Sequence, residues 1–223
     1  MSDDDSLRPG TRPSTLAVHA GERQPAPRRP AVVPVYQTAP FLFDSVDELD
    51  RAFGSGELAG LYSRYGNPTV RAVEEKLAAL EGAADAVAFA SGMAALAGAL
   101  AAVLRSGDLL VAARELYGGS HALMGFLAER HPEVELLRPR LADVAASIAT
   151  SPRPPRAVLV ETPSNPGLAC CDLAALAAAC RARGATLIVD NTFATPVLQT
   201  PLLLGADLVV HSATKYLGGH SDV

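Results

Sequence analysis

Short, nearly continuous apolar runs recur along this chain at Ala86–Phe89, Leu109–Ala112, Val134–Leu137, Ala157–Val160, Thr186–Val189 and Leu208–Val210. Runs of this length, rich in Val, Ile and Leu, predict strands buried on both faces. Longer segments with helical character separate most of them: Ser91–Leu104, Ser120–Arg130, Ala142–Ala149 and Asp172–Arg183. A further helix is expected over Asn67–Glu81. Asn67 is a good N-cap, Pro68 suits the first turn, Gly82 follows the end, and Val70, Val73, Leu77 and Leu80 form the apolar face. Alternation of buried strands with helices predicts an α/β domain with a mainly parallel sheet covered on both sides.

The first 60 residues read differently. Pro25, Pro27, Pro30, Pro34 and Pro40 punctuate them with little regular periodicity, which predicts an extended N-terminal arm over residues 1–60 and a major domain over 61–223. Ala86–Leu104 runs without a charge over nearly the length of a bilayer-spanning helix. Its large hydrophobes are few, however, and Ser91-Gly92 divides it into a strand and a helix, so burial within protein is the expected explanation.

Composition narrows the function classes. The net charge is −5, and the 19 Lys plus Arg are spread along the chain, so no basic stripe suited to nucleic-acid phosphates is present. Cys170, Cys171 and Cys180 form neither a disulfide framework nor a metal-ligand spacing, and read as small apolar core residues of a reducing compartment. The acidic start MSDDDSLRPG lacks the features of a secretory signal, so a cytoplasmic protein is expected.

In parallel α/β sheets ligands sit beyond the carboxyl ends of the strands. There Lys215 follows the last strand behind Ser212 and Thr214, and a lysine held out of water can form a Schiff base. Its ordinary reading is a solvated surface charge; the chain has only one other lysine, Lys76. Asp190 ends the preceding strand, where an ionised carboxylate needs a cationic or hydrogen-bonded partner unless it is a turn or capping residue. A protonated pyridine nitrogen would be such a partner. Ser91-Gly92-Met93 opens a helix and is either an ordinary cap or a phosphate cradle.

Tyr62-Ser63-Arg64-Tyr65-Gly66-Asn67-Pro68-Thr69, Ser91-Gly92-Met93, Tyr117-Gly118-Gly119, Pro163-Ser164-Asn165-Pro166, Asp190-Asn191-Thr192 and Ser212-Ala213-Thr214-Lys215-Tyr216 occur in that order. This series resembles the motifs of the trans-sulfuration (Cys/Met metabolism) family of pyridoxal-phosphate (PLP) enzymes, from about Ser14 to the last residue and most closely over Val189–Val223. The resemblance implies the large domain of the aspartate-aminotransferase-like fold (fold type I), without its C-terminal domain. It implies that Lys215 bonds to pyridoxal 5′-phosphate, that Asp190 pairs with the pyridine nitrogen, and that Tyr117 stacks on the ring and assists proton transfer. Asn165 would lie near the ring hydroxyl. The amides of Gly92 and Met93 and the hydroxyls of Ser212 and Thr214 would hold the phosphate. Tyr62 and Arg64 would reach the phosphate of a neighbouring subunit, in a homo-oligomer that is a dimer of dimers in the full-length family.

The implied activity is β/γ-elimination or γ-replacement on a homoserine ester, cystathionine or methionine. The residue before Tyr62 is Leu61, where cystathionine-using members tend to carry an acid, and Gly119 stands where typical methionine γ-lyases carry cysteine. An O-acylhomoserine thiol transferase is consistent with both positions. Family members are nearly twice as long and bring the arginine for the substrate carboxylate from a second domain. The expected reading is therefore a fragment of a full enzyme; the alternative is a truncated, inactive or partner-dependent PLP-binding protein. The chain alone is expected to retain PLP weakly and to turn over negligibly.

Overall fold

The computed structural model describes residues 10–21, 30–55 and 61–221. Pro25, Pro27 and the acidic start up to Pro9 lie outside them. The chain divides into two compact units, Met1–Ala88 and Phe89–Val223.

In the first unit the proline-rich stretch carries two helices, α1 (Pro13–His19) and α2 (Val46–Ser55), where the sequence predicted extended chain only. The prolines permit this because Pro13 opens α1, where a missing N–H costs nothing. Helix α3 (Pro68–Glu81) begins and ends as expected. Asn67 Oδ1 accepts from the Thr69 N–H at 2.9 Å, and Gly82 adopts the left-handed conformation at φ 68°. Asn67 does more than cap: its Nδ2 donates to the Tyr36 carbonyl and to Ser63 Oγ, both at 2.9 Å. One amide thus ties three segments of this unit together. The expected apolar face of α3 is only partly covered. Ala78 is buried, whereas Val70 and Val73 are 42% and 49% exposed, because α1 packs on one side of the helix and leaves these valines outside.

The second unit is a five-stranded parallel sheet in the order β2-β1-β3-β4-β5. Its strands are β1 (Leu109–Ala112), β2 (Glu135–Leu137), β3 (Ala157–Glu161), β4 (Thr186–Asp190) and β5 (Leu208–Val210). Alternate residues serve opposite faces. Val111, Val158, Val160, Leu187 and Val189 pack with α6 (Val144–Thr150) and α7 (Leu173–Arg183). Leu110, Ala112, Leu159, Ile188 and Val210 pack with α4 (Gly92–Val103) and α5 (Gly118–Arg130). Both faces being covered explains the unbroken apolar runs.

The expected strand at Ala86–Phe89 is not one. These residues join no ladder among the described residues, and Val87 is 71% exposed. Their amides go to carboxylates instead: Ala86 N–H donates to Asp85 Oδ1, and Ala88 N–H to Glu74 Oε1 on α3, both at 2.8 Å. The uncharged stretch through Leu104 yields a 12-residue helix, and no helix among the described residues is long and apolar enough to cross a membrane. Of the cysteines, Cys180 is buried and Cys171 half-buried, but Cys170 is exposed, on the loop after β3, not in the core. Burial pushes the Cys180 thiol up to about 12.

Ile188 is fully buried in the centre of the sheet. Ile188→Ala should destabilise the chain by about 3 kcal/mol, and Asn67→Ala by about 2 kcal/mol, as read from equilibrium denaturation.

Candidate active site

Parallel pairing brings the ends of β1, β3, β4 and β5 to one edge of the sheet, where the N-terminus of α4 also arrives. A cleft of about 140 Å³ opens there. It is lined by Gly92, Met93, Tyr117, Asn165, Asp190, Ser212, Thr214 and Lys215, so these sequence-predicted residues come together. Ser91, Glu161, Thr192 and Phe193 line it as well. Tyr62 and Arg64 belong to the other unit. There the Tyr62 backbone bridges to Pro40, and the Arg64 guanidinium lies 4.9 Å from the Tyr62 ring centre and 5.3 Å from that of Tyr65.

Asp190 sits at the last position of β4. Its Oδ1 accepts from the Thr192 amide at 3.0 Å and from Thr192 Oγ1 at 2.6 Å, and Thr192 Oγ1 in turn accepts from the Ser212 amide at 2.9 Å. A single threonine hydroxyl therefore links the ends of β4 and β5. Only one oxygen of Asp190 is committed to these bonds.

Across the cleft, Ser91 caps α4 by accepting from the Ala94 amide at 3.1 Å. The amides of Gly92 and Met93 precede the point at which in-helix acceptors exist, so the helix start offers donors and the positive end of its dipole. Gly92 is required on packing grounds. A Cβ there would stand 2.8 Å from Ser212 Cβ and 2.9 Å from Ser212 Cα, so the two backbones approach as closely as they do only because residue 92 has no side chain. A Cβ on Gly119 would likewise meet the Tyr117 ring at 2.6 Å.

Lys215 lies on the turn after β5 and is exposed at the mouth of the cleft. This differs from the desolvated lysine expected from the sequence. The residue stands five positions past the end of β5, in a run of turn residues beyond the covered sheet. Phe193 and Tyr216 steady that turn by an edge contact, with ring centres 5.9 Å apart.

Glu161 is the residue that the sequence reading passed over. It ends β3 directly opposite Asp190 in the ladder and is 4% exposed. Its Oε2 accepts from the Tyr117 amide at 2.5 Å and its Oε1 from the Asn165 amide at 2.8 Å. Burial first, and the neighbouring Asp190 charge after it, push its carboxyl up to about 7 against the two amides that lower it.

The family model described as Cys/Met metabolism PLP-dependent enzyme matches residues 14–223. The chain belongs to this family. It is 47% identical over 226 residues to a cystathionine gamma-synthase of Mycobacterium tuberculosis, covering 100% of this chain and 56% of that protein. It is 44% identical over 213 residues to an L-methionine gamma-lyase of Pseudomonas putida, covering 94% of this chain and 52% of that one. A crystal structure from Campylobacter jejuni that contains N′-pyridoxyl-lysine-5′-monophosphate superposes with a TM-score of 0.85. It shares 31% identity, over 95% of this chain and 51% of that chain. This chain therefore spans about half the length of the curated relatives it matches.

As a Cys/Met metabolism enzyme chain it should present partners for pyridoxal phosphate, and the cleft has suitable groups. Helix-start amides beside two hydroxyl side chains suit a phosphate ester, a strand-end acid suits a pyridinium, and a lysine at the mouth suits an aldehyde.

Because Glu161 binds its proton more tightly in the folded chain than in the unfolded one, it contributes stability that is full below about 4.5 and is lost as the pH rises through about 7. The change should be on the order of 1–3 kcal/mol, reduced by solvent screening at the cleft. Denaturation followed from about pH 5 to about pH 9 should show this slope, and Glu161→Gln should remove it.

Proposed function

We propose that this chain is the cofactor-binding part of a trans-sulfuration enzyme, which eliminates or replaces a group at the β or γ carbon of a homoserine ester, cystathionine or methionine. The observation that carries the reading is the convergence of Asp190, the α4 start and Lys215 on one cleft. The relatives named above, a cystathionine gamma-synthase and an L-methionine gamma-lyase, support this substrate class. Leu61 and Gly119 favour an O-acylhomoserine ester and a thiol within it.

Pyridoxal phosphate, when bound, supplies a cationic ring that draws electrons from the substrate. In this reading the Lys215 amine would hold the cofactor aldehyde, and its Nζ would take and return the proton of the substrate carbon. Asp190 keeps the ring nitrogen protonated, and the Thr192 hydroxyl fixes the carboxylate for that task. Tyr117 would cover the ring and its hydroxyl would assist proton movement. Asn165 would serve the ring hydroxyl. Gly92, Met93, Ser212 and Thr214 would hold the phosphate.

We further propose that the enzyme works in the cytoplasm as a homo-oligomer, with Tyr62 and Arg64 completing a neighbour's phosphate site. The exposed Val70 and Val73 on α3 and the exposed Arg64 beside Tyr62 support an interface on the first unit.

Incubation with pyridoxal phosphate, borohydride reduction and peptide mapping should place the label on Lys215. Label on Lys76 would overturn the assignment. Asp190→Asn should weaken cofactor binding on the order of ten- to a hundredfold, measured by spectroscopic titration.

A further inference from the structure

We propose that Glu161 is a positioning residue that locks together the two loops walling the cofactor cleft, one carrying Tyr117 and the other Asn165, and that proton uptake by its carboxyl loosens this lock. The inference rests on the cofactor reading above for its purpose, though not for its geometry.

The two oxygens of one carboxylate serve two different loops: Oε2 takes the Tyr117 amide, which starts α5, and Oε1 takes the Asn165 amide. Each loop is anchored elsewhere, the first by Ala113 N–H on the Leu159 carbonyl and Leu141 N–H on Glu115 Oε2, the second by Gln199 Nε2 on the Thr162 carbonyl, but Glu161 is what reaches Tyr117 and Asn165 themselves. Tyr117 makes no side-chain cap to α5 and is 46% exposed, so its backbone and the close approach of Gly119 aim the ring. Asn165 stands between Pro163 and Pro166, neither of which has an N–H to donate. The Ser164 amide is used within the loop, on the Ala169 carbonyl at 3.0 Å. Thr162, next to the strand, is held by its N–H on the Asp190 carbonyl and by Gln199 Nε2 on its own carbonyl, and the Asn165 amide on Glu161 extends that hold into the middle of the loop.

An acid in this position opposes folding when ionised, because it is buried beside Asp190. Its ionised form is nevertheless the one that accepts from both loops, since protonation converts one oxygen into a donor that faces an N–H. The titratable groups around it are few. Asp190 on β4 is adjacent, the Tyr117 phenol and Lys215 line the same cleft, and of these the Asp190 charge is what acts on Glu161. Protonation near neutrality would then release Tyr117 or Asn165, and the cofactor ring would lose a fixed wall.

Amide resonances of the isotope-labelled chain, followed without cofactor, test the lock directly. The Tyr117 and Asn165 amides should move together as the pH falls through about 7, with one shared midpoint, and should cease to titrate in Glu161→Gln. Glu161→Asp keeps the charge on a shorter arm, so one of the two amides should go on titrating. Separate midpoints in the native chain, or an unchanged titration in Glu161→Gln, would refute the lock. With pyridoxal phosphate loaded, the visible circular dichroism of the bound ring should follow the same midpoint in the native chain and be flat in Glu161→Gln. A signal that ignores the midpoint would refute the positioning role. The cofactor reading fails separately: if both amides follow Glu161 but borohydride does not label Lys215, the lock stands and the assignment of the cleft falls.

Discussion

The pairing of β3 with β4, from Ala157 opposite Thr186 to Glu161 opposite Asp190, is the constraint on which the rest of this structure depends. Apart from Thr186 at the start of β4, each strand is apolar on both faces until its last residue, and parallel alignment makes those last residues neighbours. Two carboxylates are thereby forced side by side at the point where the covered sheet ends. The surrounding groups follow from how that pair is accommodated. Asp190 is held by Thr192, and through it by the end of β5. Glu161 is held by amides from two loops. The cleft is the space that these attachments leave between them.

Stability and function pull in opposite directions here. The sheet and its two layers of helices supply the burial that holds the fold, whereas the cleft concentrates like charge and exposed rings. A core of this kind can carry such a liability because the central strands of the sheet are almost wholly removed from water.

Much of this was legible in the sequence. The apolar runs from Leu109 onward became the strands of the sheet to within a residue or so at their ends, and the Asn67 cap and Gly82 stop were found as read. Asp190 stands out as an acid at the end of the apolar run Thr186–Val189, where an ionised carboxylate needs a partner. Glu161 obeys the same strand-end logic, but the apolar run ends at Val160 ahead of a proline-rich loop, so composition assigns the acid to the loop, whereas the ladder extends through it. Ala86–Phe89 has strand composition without strand structure, since a strand is defined by its neighbour and composition does not supply one. The exposure of Val70, Val73 and Lys215 depends on what covers them, and periodicity is silent on that.

The contact between Gly92 and Ser212 sets a boundary on how this cleft can be altered. Where two backbones touch because one lacks a side chain, that position offers no gradation: any larger residue parts α4 from the end of β5 instead of reshaping the space between them. Thr214 lines the same cleft and is not part of that contact. A change in the shape of this cleft has to be sought along the rest of its lining, not at this contact.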